Sequence, residues 1–197
     1  ITDTEELYAM HERGIAGLST RVKLPEYSDT DNGNGNGYSD DFLSFYQTEG
    51  VKFLMDKKRV LIADDMGVGK TAQAVAGKLE IENRTGRRSK ALVITPSTVK
   101  AHWYDKIDEY CDRKQKVVKL DSYSDQSFEG LEDADFTIVN YEAFSHSNGD
   151  GRVAERLRSQ GFNYVVLDEV HNVKNPDALR SLPIRQIADD AEYLCLL

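Results

Sequence analysis

From residue 59 onward, short apolar runs alternate with helix-length amphipathic stretches. The runs are RVLIAD (59–64), KALVIT (90–95), KVVKL (116–120), FTIVN (136–140), YVVLD (164–168) and EYLCLL (192–197). Their aliphatic and β-branched residues are nearly continuous rather than alternating, which marks strands covered on both faces. Between them, segments such as 71–83 and 97–112 are long enough for helices. The expected fold is therefore α/β and doubly wound, a mostly parallel sheet with helices on both faces. In such a sheet, ligands bind beyond the carboxyl ends of the strands. Upstream, DFLSFYQTEGVKFLMDKK spaces Phe42, Phe45, Tyr46, Val51, Phe53 and Leu54 so that an amphipathic helix is predicted.

The pattern breaks at DTDNGNGNGYSDD (29–41), where alternating Asn and Gly favour turns or coil over packing. Residues 1–41 are accordingly expected to be an accessory segment and linker, and 42–197 the folded unit. No repeat of solenoid or propeller length is visible. Among 197 residues, 40% are hydrophobic and 30% charged, enough for one cored domain. No run approaches the roughly 18 apolar residues of a membrane span. The N-terminus is acidic where a signal peptide would be basic, so a soluble intracellular protein is expected, nuclear if eukaryotic. Cys111 and Cys195 have no CxxC or metal spacing and read as reduced and structural.

A net charge of −9 argues against a nucleic-acid partner until its distribution is considered. Residues 1–50 carry 3 basic and 10 acidic side chains, whereas 51–100 carry 11 basic and 5 acidic. Arg84, Arg87, Arg88 and Lys90 form one short basic run, either a local patch or a solvated helix end.

The densest chemistry lies in RVLIADDMGVGKTAQAVAGKL, a strand, a glycine-containing loop and a helix in that order. Gly67 and Gly69 let the loop Met66–Gly67–Val68–Gly69 turn successive N–H groups toward phosphate oxygens, and the helix starting near Lys70 adds its positive end. Lys70 is placed to reach the β- and γ-phosphates, and Thr71 to ligate Mg²⁺. Asp64 stands where the usual phosphate-loop pattern has its first glycine. About a hundred residues on, YVVLDEVH supplies a carboxylate after a strand. Asp168 is the candidate for the metal, and Glu169 for the base that polarises water. His171 falls beyond the strand, a candidate for coupling.

Together these residues resemble a known family. DDMGVGKT and DEVH are similar to motifs I and II of superfamily-two helicases, and NVKNP after DEVH resembles the SWI/SNF family of ATP-driven DNA translocases. FYQTEGVKFL resembles the adenine-reading segment, which implies that Gln47 hydrogen-bonds the base. ALVITPSTVKAHW resembles motif Ia, with Thr95, Pro96 and Trp103 in matching places, and FTIVNYEAF the strand that follows. Asp65, Val68 and Val170 depart from the usual Glu, Leu and Ala. The resemblance implies the first of two RecA-like lobes of a P-loop NTPase, cut before motif III. It also implies ATP and Mg²⁺ as cofactors, with double-stranded DNA and a second lobe of the same parent chain as partners. A lone lobe of this kind is expected to bind ATP without hydrolysing it usefully. Two alternatives stay open, a DEAH-like strand-separating helicase and a nucleotide-binding module that does not hydrolyse.

Three further features are ambiguous or bland at this level. Trp103 with Tyr104 is either a base-stacking platform or helix core. Asn83-Arg84-Thr85 has the pattern of a glycosylation acceptor but is expected to be silent. His102 and His146 have no metal-spaced companions.

Overall fold

The computed structural model describes residues 43, 45–63, 68–111, 113–145, 151–170 and 181–197. The N-terminal segment, the linker, His146 and the 171–180 stretch containing NVKNP lie outside the described residues. Helices α1 (Phe45–Lys57), α2 (Lys70–Thr85), α3 (Lys100–Tyr110), α4 (Arg152–Arg158) and α5 (Ser181–Asp190) alternate with strands. The strands are β1 (Arg59–Leu61), β2 (Ala91–Thr95), β3 (Val117–Lys119), β4 (Phe136–Asn140), β5 (Tyr164–Leu167) and β6 (Tyr193–Leu196). One-turn 3₁₀ segments follow β2 at Ser97–Val99 and β4 at Tyr141–Phe144.

All six strands join one sheet in the order β1-β6-β5-β2-β4-β3, and every pairing is parallel. The buried side chains of each strand divide by parity between two cores. Leu92, Ile94, Val165, Leu167, Leu194 and Leu196 share one with Val153 and Leu157 of α4 and Ile184, Ile187 and Ala188 of α5. Ala91, Val93, Tyr164, Val166, Tyr193 and Cys195 share the other with Leu54 of α1, Val75 and Ile81 of α2, and Trp103 and Ile107 of α3. Both faces are thus covered, which explains why the strands read as unbroken apolar runs. The double winding expected from the pattern is present.

The strands are shorter than the runs that predict them, because the first and last residues of several runs turn out of the ladder. α4 and α5 were not anticipated: α4 has seven residues, and α5 carries Pro183 in its first turn, where proline is tolerated. No helix among the described residues is long and apolar enough to cross a membrane.

β2 and β5 are neighbours, yet the helices that follow them, α3 and α5, pack on opposite faces. This reversal of winding at the carboxyl ends of two neighbouring strands is where open α/β sheets bind ligands.

Candidate nucleotide site

Register brings the first group of site residues together. Ile94 of β2 is paired with Leu167 of β5, so the next residues, Thr95 and Asp168, stand side by side as the two strands end. By parity both face the α3 side of the sheet. Trp103, on the inner face of α3 and 1% exposed, covers them.

Asp168 is held at its backbone N–H, its carbonyl oxygen and one carboxylate oxygen. Its N–H donates to the Ile94 carbonyl at 2.9 Å. The Tyr141 hydroxyl, reaching from the turn after β4, donates to its carbonyl oxygen at 2.6 Å. Its carboxylate Oδ2 accepts from the Thr95 hydroxyl at 2.8 Å and from the Trp103 indole N–H at 2.7 Å. Both carboxylate donors are neutral, and no lysine or arginine among the described residues forms an ion pair with Asp168. Hydrogen bonds of this kind orient the carboxylate without pairing it to a cation.

Glu169, next along, is exposed and has φ of 52°, a left-handed backbone that non-glycine residues rarely adopt. The turn that imposes it is closed by the Tyr141 bond to the preceding carbonyl and by the Val170 N–H to the Leu197 carbonyl at 3.1 Å. Strain held by surrounding bonds is a mark of functional turns. It re-aims Glu169 away from the direction the strand would give it.

The second group lies at the end of β1. In the sheet, β1 is separated from β5 by β6 alone, two strand spacings or about 10 Å. Lys70 and Thr71 open α2, which packs on the same face as α3. Gly69 caps this helix with φ of 81°, and the N–H groups of Ala72 and Gln73 both point back to its carbonyl, at 3.0 and 3.3 Å. A glycine suits this position because of the left-handed backbone, and a Cβ would also have to push the Gln47 amide, 2.2 Å away, off the Val68 carbonyl. Asp64, Asp65, Met66 and Gly67 lie outside the described residues, so the phosphate-cradling role expected of Met66 and Gly67 has no geometry to set beside it.

Gln47, expected to read the adenine edge, is buried on α1 and braces the loop. Its Nε2 donates to the Val68 carbonyl at 2.9 Å and lies 3.5 Å from that of Gly69. The donor half of the amide is thus engaged with the protein's own backbone.

Other residues fall on structural duty. Trp103 is core, and in addition a donor to Asp168, a combination that neither reading of the sequence included. Tyr104 beside it is exposed. The basic run sits at the opposite end of the sheet and is largely paired: Arg84 with Glu80 at 2.8 Å, Arg88 with Asp135 at 3.0 Å, and Lys90 Nζ with the Gln160 carbonyl at 2.8 Å. Cys195 lies on β6, beside Val166 of β5, with its side chain in the core. Burial above all, with a smaller push from the Asp168 charge and against a downward pull from the Tyr164 hydroxyl, brings its thiol up to about 12, so it remains a thiol. His102 is exposed on α3, and no cluster of three or more metal-ligating side chains occurs among the described residues.

This arrangement can be set beside known proteins. The family model of the SNF2-related domain matches residues 46–196. The chain belongs to the SNF2-related domain family. Its relatives include the TATA-binding protein-associated factor mot1 of Aspergillus fumigatus, 28% identical over 159 residues, covering 72% of this chain and 8% of the relative. A second is the SWI/SNF-related matrix-associated actin-dependent regulator of chromatin subfamily A containing DEAD/H box 1A of Danio rerio, 27% identical over 165 residues, covering 79% of this chain and 16% of that protein. Among solved structures, the Sulfolobus solfataricus SWI2/SNF2 ATPase core in complex with dsDNA superposes with a TM-score of 0.64 at 24% identity, covering 82% of this chain and 32% of that one. It shares the RecA-like fold of the six-stranded parallel sheet. The SNF2-related chain described here thus spans less than a third of each of these proteins.

Proposed function

We propose that this SNF2-related chain is the ATP-binding lobe of an ATP-dependent DNA translocase of the SWI/SNF type. The observation that carries the reading is Asp168: a carboxylate fixed by neutral donors, at the same end and on the same face of the sheet as the N-terminus of α2 with Lys70 and Thr71. A held, unneutralised negative charge and a helix start bearing a lysine are the two halves of a metal-phosphate site.

The donor set fits Mg²⁺. Thr71 hydroxyl and Asp168 carboxylate are hard oxygen ligands, and Mg²⁺ is commonly held by one or two carboxylates with phosphates and waters supplying the rest. Bound there, Mg²⁺ would neutralise charge on the β- and γ-phosphates. Lys70 would hold the same oxygens through its ammonium, with the loop Met66–Gly69 supplying N–H donors. Glu169 would accept a proton from water, its side chain presented by the left-handed turn. Gln47 would keep the loop in its binding shape and, by the resemblance to the adenine-reading segment, favour adenine.

The family and the dsDNA complex of its Sulfolobus neighbour support duplex DNA as the partner and a second RecA-like lobe as the other wall of the cleft. On this reading the protein acts inside the cell, and residues 1–197 alone bind ATP without useful turnover. An arginine finger is worth roughly 10³ to 10⁵ in rate, and here it would belong to the second lobe.

The test is calorimetry of ATP binding to residues 1–197, with and without Mg²⁺. Binding is expected to be weak, Mg²⁺-dependent and abolished by Lys70→Ala. Equal binding by wild type and Lys70→Ala would overturn the assignment. DNA-stimulated phosphate release by residues 1–197, lost in Glu169→Gln, would overturn the half-site reading.

A further inference from the structure

Thr95 and Trp103 meet Asp168 at a single atom. Both donate to Oδ2, and neither bonds Oδ1. The donors arrive from different elements, β2 and α3, so together they fix the rotation of the carboxylate about its Cβ–Cγ bond and decide which oxygen is committed to the protein.

Packing alone does not account for the tryptophan. A phenyl ring would supply much of the same apolar bulk in the α3 core, whereas indole Nε1 is a donor only and serves nothing but an acceptor. Nor is stability the simplest account of the pair. A basic side chain in place of either residue would hold Asp168 more strongly, and would cancel the charge that a cation needs. The neighbouring strand gives a contrast: Thr137 of β4, equally buried, has no hydrogen-bond partner for its hydroxyl among the described residues, so a buried threonine in this sheet does not require one.

We infer that Trp103 and Thr95 are positioning residues for the metal carboxylate, holding Asp168 by Oδ2 so that Oδ1 is the oxygen offered to Mg²⁺. The inference rests on the reading of Asp168 as the Mg²⁺ ligand. It gives the segment 95–103 a task at the metal, with the register of β2 against β5 as its physical basis. It also makes the chain's only tryptophan a reporter of the site, because its N–H is bonded to the group that changes when metal arrives.

The experiment uses residues 1–197 and measures ATP binding by calorimetry as a function of Mg²⁺ concentration. Trp103→Phe keeps a ring in the core and removes the N–H; Thr95→Val keeps the shape and removes the hydroxyl. Each should raise the Mg²⁺ midpoint about tenfold, the scale on which partners of metal ligands act, while ATP affinity in EDTA stays unchanged. Thr137→Val should move neither. In wild type, Mg²⁺ with ATP should shift the Trp103 emission, and Asp168→Asn should remove that shift.

Variants that lower thermal stability yet leave the Mg²⁺ midpoint in place would overturn the inference. Should Trp103→Phe fail to fold, Thr95→Val decides alone. If Asp168→Asn raises the midpoint and these two variants do not, the positioning role falls while the site reading stands. If Asp168→Asn leaves the midpoint unmoved, the site reading falls and the positioning role with it.

Discussion

Where the strands begin, charged side chains pair with one another; where β5 ends, Asp168 is held by neutral donors alone. At the beginning, Arg59 reaches the Ala188 and Ala191 carbonyls at 3.0 Å each and Asp189 at 3.3 Å, Arg88 pairs with Asp135, and Arg158 with Asp190. Lys78, wholly buried in α2, is matched to Glu82 and Gln115, both at 2.9 Å, and stands over the Phe136 ring. At the other end the donors to Asp168 are a hydroxyl and an indole. Ion pairing closes one end as a seam. At the other end Lys100 and Asp121 pair beyond β3 at 2.9 Å, while Asp168, at the end of β5, is oriented by neutral hydrogen bonds with no cation among the described residues paired to it. The contrast separates fastening from function within one sheet, and mutations can test it.

The largest expected effect is on the fastened end. Glu82→Ala strands the buried Lys78 ammonium and should cost roughly 3–5 kcal/mol in urea unfolding, the usual penalty for breaking a buried pair, with ATP affinity of the folded fraction unchanged. A loss of affinity would mean that the two ends are not independent. Next comes Gly69→Ala, which forces a non-glycine residue into a left-handed cap against Gln47 and should cost about 1–3 kcal/mol, together with a marked loss of ATP binding. Unaltered affinity would remove Gly69 from the loop.

Tyr141→Phe leaves the Asp168 carbonyl without its donor and should cost about 1 kcal/mol. The amide of Val170 should exchange faster with solvent, because the turn that strains Glu169 is then less firmly closed. Asp135 gives a smaller, pH-dependent effect. Burial pushes its carboxyl up, but the Lys116 N–H and the Arg88 guanidinium pull it further down, so its net position is below the usual carboxylate value. Its contribution to stability is therefore present above that usual value and is lost as pH falls through the depressed one. The stability gap between wild type and Asp135→Asn should be full at neutral pH and close in acid; a gap that widened in acid would contradict the seam. Smallest is Glu192→Gln, which removes the half-exposed partner of Lys58 and should leave the urea midpoint where it was.

Much of this was legible in the residues. Near-continuous apolar runs predicted a sheet covered on both faces, and the two cores are its cause. Strand-loop-helix order placed Lys70 at the start of α2. Strand order was not legible, because β6 enters between β1 and β5 through contacts far apart in the chain, and apolar runs of similar composition do not encode which neighbour each takes. The Trp103 bond was missed for a related reason. It depends on the β2–β5 register and on which face α3 covers, although one signal was available: a buried indole N–H needs an acceptor, and Asp168 was already marked as a strand-end carboxylate. Gln47 shows the opposite limit. Its side chain could be matched to a base edge by type, but only the fold reveals that its amide nitrogen is given to the loop.

On the proposed reading, the ends of β1 and β5 form one metal-nucleotide site. Mn²⁺ in place of Mg²⁺, with ATP and residues 1–197, tests it by pulsed electron paramagnetic resonance. Protein-bound Mn²⁺, separated from free Mn²⁺–ATP by equilibrium dialysis, should show ³¹P coupling to the nucleotide phosphates, and Lys70→Ala and Asp168→Asn should each eliminate that protein-bound signal. Persistence of the protein-bound, ³¹P-coupled Mn²⁺ in Asp168→Asn, or in Lys70→Ala, would show that the two strand ends do not share a site.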